Sequence, residues 1–489
     1  VPTSAAQTLA GQRVSTAGVV FFTASAATPL TVCAAIVTTG FAATGKLGLP
    51  IAFVVIAAVL AVFSVGYVAM ARRVPNAGAF YTYISVGLGR PAGVGASWVA
   101  MLAYNTLQVG LYGAFGPVLQ PLLQRWFGWD VPWWVLSLAA WVVVGVLGLR
   151  RIRNSARVLL VLLAAEIAVL LMYAFANLAN PAPAGLGIDG LAFGDLLGDA
   201  FGPLLGLAVL GYVGFEQSAV FSEQASTGAV RRATVICIVG LGALYTFSSW
   251  TTIQAAGAAD VVAMAGNSPE GLLFTLAEQN LGPWAADIGR ALLVTSLLAA
   301  MISFHATCAR YTFALGRDGV LPGALGRTTP RTGQPGPASI LQSSLGLVTI
   351  IVYAIGGWDP FVNLFYVAGT AGALGVLILL SGTAFATVFF LRRDDEEETR
   401  PIHRVAPPIA ALAVTAILAL VVINFSLLLG FGPDTPLRWI IPVVFAGVAV
   451  AGTLYGFVLR GTRPHIYRAI GQGAARPAST SAPRPVGVR

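Results

Sequence analysis

Hydrophobic positions in this chain fall in long uninterrupted blocks, with charges confined to the stretches between them. Uncharged runs cover 14–45, 47–71, 91–124, 131–149, 233–259, 291–309, 332–358, 360–391, 405–433 and 439–459. A helix of about 20 residues crosses a hydrocarbon layer ~30 Å thick, so each run predicts one membrane helix. Two more spans hold an acid in their interior: about 156–178 contains Glu166, and about 198–223 contains Glu216. The pattern therefore predicts an all-α membrane protein with 12 transmembrane helices. Strand-like alternation over ten-residue segments is missing, which speaks against a β-barrel.

Two of these spans predict a break. In the first, "TASAATPL" (23–30) sets Pro29 four residues after Ser25. Its nitrogen has no hydrogen for the Ser25 carbonyl, and its ring crowds that carbonyl. In the sixth, "AVLGYVGFEQSAVFSEQA" (208–225) carries Gly211 and Gly214 beside Glu216. Each glycine costs about 1 kcal/mol relative to alanine in a helix interior. Interruptions in the first and sixth spans point to two five-helix halves of inverted topology, with a binding site near the bilayer midplane. Freed N–H groups there can hold a carboxylate, and freed carbonyls can hold an ammonium or a cation.

Composition and charge sharpen the picture. Hydrophobic residues make up 57% of the chain and charged residues 10%, with a mean hydropathy of +0.82, outside the soluble class. Of the 28 Lys and Arg residues, only Lys46, Arg125, Arg290 and Arg438 fall on the side opposite the N-terminus. The positive-inside rule then makes both termini cytoplasmic, in the plasma (inner) membrane, with an even number of crossings. The net charge of +9 is thus a topology signal and not evidence for nucleic-acid binding, because the cations sit on short loops with no soluble domain to organise them. Cys33, Cys237 and Cys308 read as buried inert thiols. The first uncharged run is too long for a cleavable signal. The helix expected around "SPEGLLFTLAEQN" lies on the surface, capped by Ser268, and "DDEEE" (394–398) reads as a solvated turn. Residues 1–15 read as a cytoplasmic segment, 405–460 as the last two helices, and the Arg, Pro, Ala and Ser-rich 461–489 as a disordered tail.

A carboxylate near the bilayer centre costs about 2.5–3.5 kcal/mol on insertion scales, so it needs a cavity, a partner or freed backbone. Glu216 has two readings: a staple accepting hydrogen bonds from the broken first helix, or a direct substrate contact. Glu223, two turns on, belongs to a cytoplasmic gate and pairs with Arg231, Arg232 or another inside arginine. Glu166 is the only charge between Arg157 and Asp189. A carboxylate held away from water can bind and release a proton near neutrality. It can also serve as a sodium ligand, since hard cations favour oxygen donors, or as a structural acid facing the first helix. His305, flanked by Ser303 and Thr307, is either a coupling histidine facing helices 1 and 5 or a satisfied buried residue. On the third helix, Tyr104, Asn105, Gln108 and Tyr112 form a polar set, of which Tyr104, Gln108 and Tyr112 share a face. They either line a pocket or bond across helices for about 0.6–2 kcal/mol each.

Three stretches also carry a family likeness. "GYVGFEQSAVFSEQA" (211–225) resembles the sixth-helix signature of the amino acid–polyamine–organocation transporter superfamily. "NAGAFYTYISVGLGRPAGVGASW" (76–98) resembles its stretch between helices two and three, and "ATCARYTFALGRDGVLPGALGRTTPRTGQPGPA" (306–338) its helix-eight exit. The resemblance implies a leucine-transporter-type fold, a 5+5 inverted repeat of 16–178 and 195–392 with broken helices 1 and 6. It implies an amino acid or amine bound between those breaks. Some relatives look as if they carry a lysine at the Glu166 place, filling a sodium position. Two departures stand out: Ser25-Ala26-Ala27-Thr28-Pro29 replaces the usual Gly-rich break, and "QASTGAV" replaces an acidic-Asn-Pro turn.

The resulting expectation is a secondary transporter moving an amino acid by alternating access. The substrate site comprises Ser25, Ala26, Ala27 and Thr28; Gly211, Tyr212, Gly214, Phe215 and Glu216; and Tyr104, Asn105 and Gln108. Glu166 and His305 couple transport to protons, with sodium as the other candidate ion. An amine or polyamine carrier, or an exchanger, is the second reading; a channel or a transport-like sensor is a different class. No Walker loop, dinucleotide fingerprint, H-E-x-x-H or nucleophile elbow is present, so no enzyme, cofactor or metal is expected.

Overall fold

A computed structural model describes residue 9 and residues 14–150, 152–268, 271–393, 401–432 and 434–472. Within these residues the chain is helical throughout, and ten helices are long and apolar enough to cross a membrane. It is an all-α, multi-spanning membrane protein.

The helices start and stop where local chemistry dictates. Helix α1 (Thr16–Ala26) is capped by Ser15, whose hydroxyl accepts from the Gly18 N–H at 3.1 Å. Helix α2 begins at Pro29–Thr31, passes through a π-helical turn at Val32–Ile36 and continues as Val37–Thr44. Helices α3 (Leu49–Arg73), α4 (Ala79–Gly87), α5 (Arg90–Phe127), α6 (Trp133–Leu149) and α7 (Ile152–Ala179) follow. Helix α5 runs for 38 residues, but its glycines and polar residues dilute its hydropathy, and α6 has only 17 residues.

Helix α8 (Phe201–Leu210) ends at a turn, and the chain continues as a 3-10 segment, Phe215–Phe221. Then come α9 (Thr227–Ala256), α10 (Leu272–Leu281), α11 (Pro283–Arg317) and α12 (Gly336–Gly356). A π-helical turn, Pro360–Tyr366, leads into α13 (Val367–Arg393), followed by α14 (Ile402–Ile423), α15 (Leu437–Thr462) and the short α16 (Pro464–Ala469). Helix α1 packs against α7, α9, α11 and the 3-10 segment, so the two interrupted segments meet in the interior.

Two expectations need correction. Helix α10 is neither on the surface nor capped by Ser268: Leu272, Leu273, Phe274, Leu276 and Ala277 are buried, and its N-cap is Gly271. The first helical N–H, from Leu272, instead donates to Thr38 Oγ1 of α2 at 2.9 Å. Residues 461–472 are ordered: they complete α15, form α16 and bury Ile470. Ile466, Tyr467 and Ile470 supply an apolar side to this stretch, with Tyr467 under the Arg90 guanidinium at 5.5 Å. The Gly471 N–H reaches Asp318 Oδ2 at 3.0 Å. Residues 473–489 and the acidic 394–398 lie outside the described residues.

One close approach organises the interior. Gly214 has φ 118, and a Cβ there would lie 2.8 Å from the Ala27 nitrogen and 2.9 Å from the Ala26 carbonyl carbon. Both contacts are to backbone, which has little freedom to yield. Gly214→Ala is expected to cost about 1–3 kcal/mol in backbone strain alone and to lower the melting temperature of the purified protein. Gly240→Ala, where an added Cβ meets nothing within 4 Å, is expected to leave it unchanged or raise it slightly. Equal melting temperatures for the two variants would contradict this packing.

Candidate functional site

Both helix interruptions are held by specific side chains. At the first, Thr28 sits at φ 44, ψ 65, a left-handed conformation that a β-branched residue rarely adopts. Its N–H donates to the Ser25 carbonyl at 3.2 Å, and its carbonyl accepts from Val32 at 3.0 Å. Strain of this kind costs about 1–3 kcal/mol and persists where the surroundings enforce it. At the second, Glu216 Oε2 accepts the Gly214 N–H at 2.8 Å and Oε1 accepts the Tyr104 hydroxyl of α5 at 2.9 Å. The Tyr67 hydroxyl of α3 donates to the Glu216 carbonyl at 2.6 Å. Glu216 therefore ties its own break to α5, and its hydrogen-bond partners are Gly214, Tyr104 and Tyr67 rather than the backbone of the first helix. Gly214, at φ 118 and ψ −27, caps the 3-10 segment that carries Glu216, and its N–H is the one the carboxylate accepts.

Beside the breaks lies a cavity of ≈170 Å³ lined by Ala26, Ala27 and Thr28 from the first break and Val213 from the second. Leu107 and Leu111 of α5, Phe304 of α11 and Gly369, Thr370 and Ala373 of α13 complete much of its wall. It shares Thr31, Ala35, Thr39, Phe365 and Tyr366 with a wider space of ≈430 Å³ that reaches Arg125 and Arg290. Arg125 ends α5 and Arg290 begins α11, so this wider space lies toward the face opposite the termini.

The other expected substrate residues surround this cavity without lining it. Ser25 is buried. Gly211 lies against Val32 and Phe53. The Tyr212 hydroxyl donates to the Phe53 carbonyl at 2.8 Å, and Phe215 meets Phe63 edge-on at 6.2 Å. Gln108 donates to the Tyr112 hydroxyl at 3.2 Å, while Asn105, about 100° round the helix from Tyr104, donates to Met101 O at 2.7 Å.

Glu166 is buried on α7 and faces the first break. Its Oε2 accepts from Ser296 of α11 at 2.9 Å, and the Leu30 N–H in the first turn of α2 is directed at the same carboxyl. Oε1 has no hydrogen-bond partner among the described residues. His305, which reads either as a coupling group or as a bonded buried residue, pairs its Nε2 with Ser339 Oγ of α12 at 2.7 Å. Ser303 and Thr307 take the side toward the breaks, so His305, two residues or about 200° away, turns from the breaks and is buried against Gly148 of α6 and Ser339 of α12. Ser303 donates to Phe22 O of α1 at 2.5 Å, and Gln217 Oε1 accepts from Ser303 at 3.0 Å and Thr307 at 2.7 Å. Gln217, beside Glu216 in sequence, was not among the expected site residues. Among the described residues no cluster of His, Cys, Asp and Glu suits a metal ion.

The face carrying the termini is closed. Glu223 pairs with Arg317 rather than Arg231 or Arg232: Arg317 donates to Oε2 at 3.0 Å and to Oε1 at 2.7 Å, with side-chain exposures of 2% and 6% for Arg317 and Glu223. Arg317 also donates to Asn76 Oδ1 at 3.2 Å, and the Ala77 N–H to Glu223 Oε1 at 3.0 Å. Two turns deeper, Arg310 grips Gln224 Oε1 at 3.1 and 2.9 Å and lies over the Phe221 ring at 4.6 Å. The Val14 N–H donates to the Gln224 carbonyl at 2.9 Å. At the edge of this network burial pushes Asp318 up to about 6, despite the adjacent Arg317 guanidinium. Its Oδ2 accepts the Tyr81 hydroxyl at 2.8 Å.

A profile of the amino acid permease family matches residues 21–451. The chain is 28% identical over 303 residues to an L-lysine transport protein of Corynebacterium glutamicum, covering 58% of this chain and 57% of that protein. It is 23% identical over 367 residues to the branched-chain amino acid permease BcaP of Lactococcus lactis, covering 71% and 75%. It is 23% identical over 313 residues to the low-affinity putrescine importer PlaP of Escherichia coli, covering 61% and 66%. The matches thus span less than two thirds of the length of the first and third of these relatives.

The terminal-face closure yields a stability prediction. Arg317→Ala leaves Glu223 buried without its guanidinium, which is expected to destabilise the protein by about 3–5 kcal/mol. Combining Arg317→Met with Glu223→Gln removes both charges and is expected to recover much of that loss. Thermal unfolding of the detergent-purified variants checks this; a double variant less stable than Arg317→Ala would contradict it.

Proposed function

Because the chain belongs to the amino acid permease family, we propose that it is a secondary transporter carrying an amino acid across the membrane by alternating access. One observation carries the reading. Two interrupted helices meet at Gly214 and Ala26–Ala27 beside a cavity that shares wall residues with a wider space toward the far face, while Glu223–Arg317 closes the terminal face. A channel needs a continuous path, and this arrangement favours a carrier. The N-terminal end of α2 and the carbonyl end of α1 offer the substrate carboxylate and ammonium complementary backbone groups.

With α5 and α6 counted, the proposed topology has twelve crossings: 16–178 and 195–392 form two inverted five-helix repeats, and 405–460 is peripheral. The arginine asymmetry supports cytoplasmic termini. Rocking of α1, α2 and the Phe201–Phe221 segment against a scaffold of α5 and α11 opens the terminal face when Glu223 and Arg317 part.

Glu166 is the proposed proton site. It touches the first turn of α2 through Leu30 and the scaffold through Ser296, so its protonation alters a contact between moving and fixed parts. The oxygen without a hydrogen-bond partner, Oε1, is available to a proton. Glu166→Gln is expected to abolish uptake driven by an imposed pH gradient in proteoliposomes while leaving substrate exchange partly intact. Unchanged pH dependence of uptake removes the proton-site reading.

A further inference from the structure

We propose that the cavity beside the two breaks takes an α-amino acid with an uncharged aliphatic side chain and turns away lysine and diamines. The proposal rests on reading this cavity as the substrate site and adds what the site selects. Its walls are apolar where a side chain would lie: Leu107, Leu111, Leu210, Val213, Phe304 and Phe365. Hydroxyls enter only from neutral threonines and Tyr366, and none of the lining residues is an acid, a base or a histidine.

The two buried acids nearby do not supply a counter-ion. Neither lines the cavity: Glu216 commits both oxygens to its own break and to Tyr104, and Glu166 bonds Ser296 through Oε2 while its Oε1, unpartnered among the described residues, stays outside the lining. The α-ammonium and carboxylate of a substrate are served by the backbone at the breaks. A second ammonium would lose its water and find no opposite charge, which strongly disfavours it. A methylene in the same place leaves water for an apolar wall, which favours it. Size agrees, since an apolar cavity of about 150 Å³ holds benzene and this one measures ≈170 Å³.

The test is counterflow of labelled leucine in proteoliposomes containing the full chain, with unlabelled leucine, valine, alanine, lysine and putrescine as competitors. Leucine is expected to compete best, with apparent affinity falling about fourfold for each methylene removed. Lysine and putrescine are expected to be roughly 100-fold weaker. Lysine or putrescine competing within tenfold of leucine overturns the proposal and leaves the carrier reading standing. Absence of counterflow with every amino acid and amine overturns the carrier reading, and this proposal with it. As a second measurement, Thr370→Asp puts a carboxylate on the wall and is expected to shift preference toward lysine over leucine by about tenfold or more. An unchanged preference in the folded variant overturns the proposal. The wild-type panel is decisive whether or not that variant folds.

Discussion

An unpaired N–H or C=O in hydrocarbon costs several kcal/mol, and a helix that stops halfway across exposes up to four of each. This chain stops two helices in its interior, at Ala26 and at Leu210, and the surrounding polar side chains answer that constraint. Glu216 takes the Gly214 N–H, the Tyr67 hydroxyl takes the Glu216 carbonyl, and the Tyr245 hydroxyl reaches the Ala27 carbonyl at 3.3 Å. The Leu30 N–H is directed at Glu166. Gly214 makes the arrangement possible, because any side chain there would collide with the first break. Ala26, Ala27 and Thr28 at the first break and Val213 at the second line the cavity beside them.

The asymmetry across the membrane follows from what packs above and below that point. On the terminal face, the Phe22 and Phe221 rings pack at a 35° tilt with centroids 4.9 Å apart, and Arg310, Gln224, Arg317, Glu223 and Asn76 interlock beneath them. Toward the other face, α2 and α13 leave space rather than contact. A buried, bidentate ion pair adds little to stability in comparison with apolar packing, but it is costly to break one partner at a time. Such a contact suits a closure that is either fully made or fully released. The segment after α15 adds to it, with Gly471 joined to Tyr81 and Asp318.

Much of this was legible in the residue pattern. Block hydrophobicity predicts membrane helices, and Pro29 and the Gly211–Gly214 pair mark where two of them are interrupted. Glu166 and Glu216 attract attention because lipid cannot solvate them. What the pattern could not convey is which way each side chain turns. Tyr104 and Asn105 are adjacent in sequence, yet one reaches Glu216 and the other its own helix. His305 looked like a coupling group, but Ser303 and Thr307 occupy the inward face of that helix. Glu223 could have paired with any inside arginine, and only the three-dimensional meeting of 76–78, 223 and 317 selects Arg317. The start of the tail was misjudged because Ile466, Tyr467 and Ile470 are too few to stand out beside the 16 Arg, Pro, Ala and Ser residues of 461–489.

The central claim is that substrate binds where the two interruptions meet, reached from the face opposite the termini. The most direct measurement is modification of Val213→Cys by a membrane-impermeant thiol reagent added from that face. Cys33, Cys237 and Cys308 are buried and give little background. The account predicts labelling of Val213→Cys that saturating leucine suppresses. Labelling that leucine leaves unchanged would contradict it.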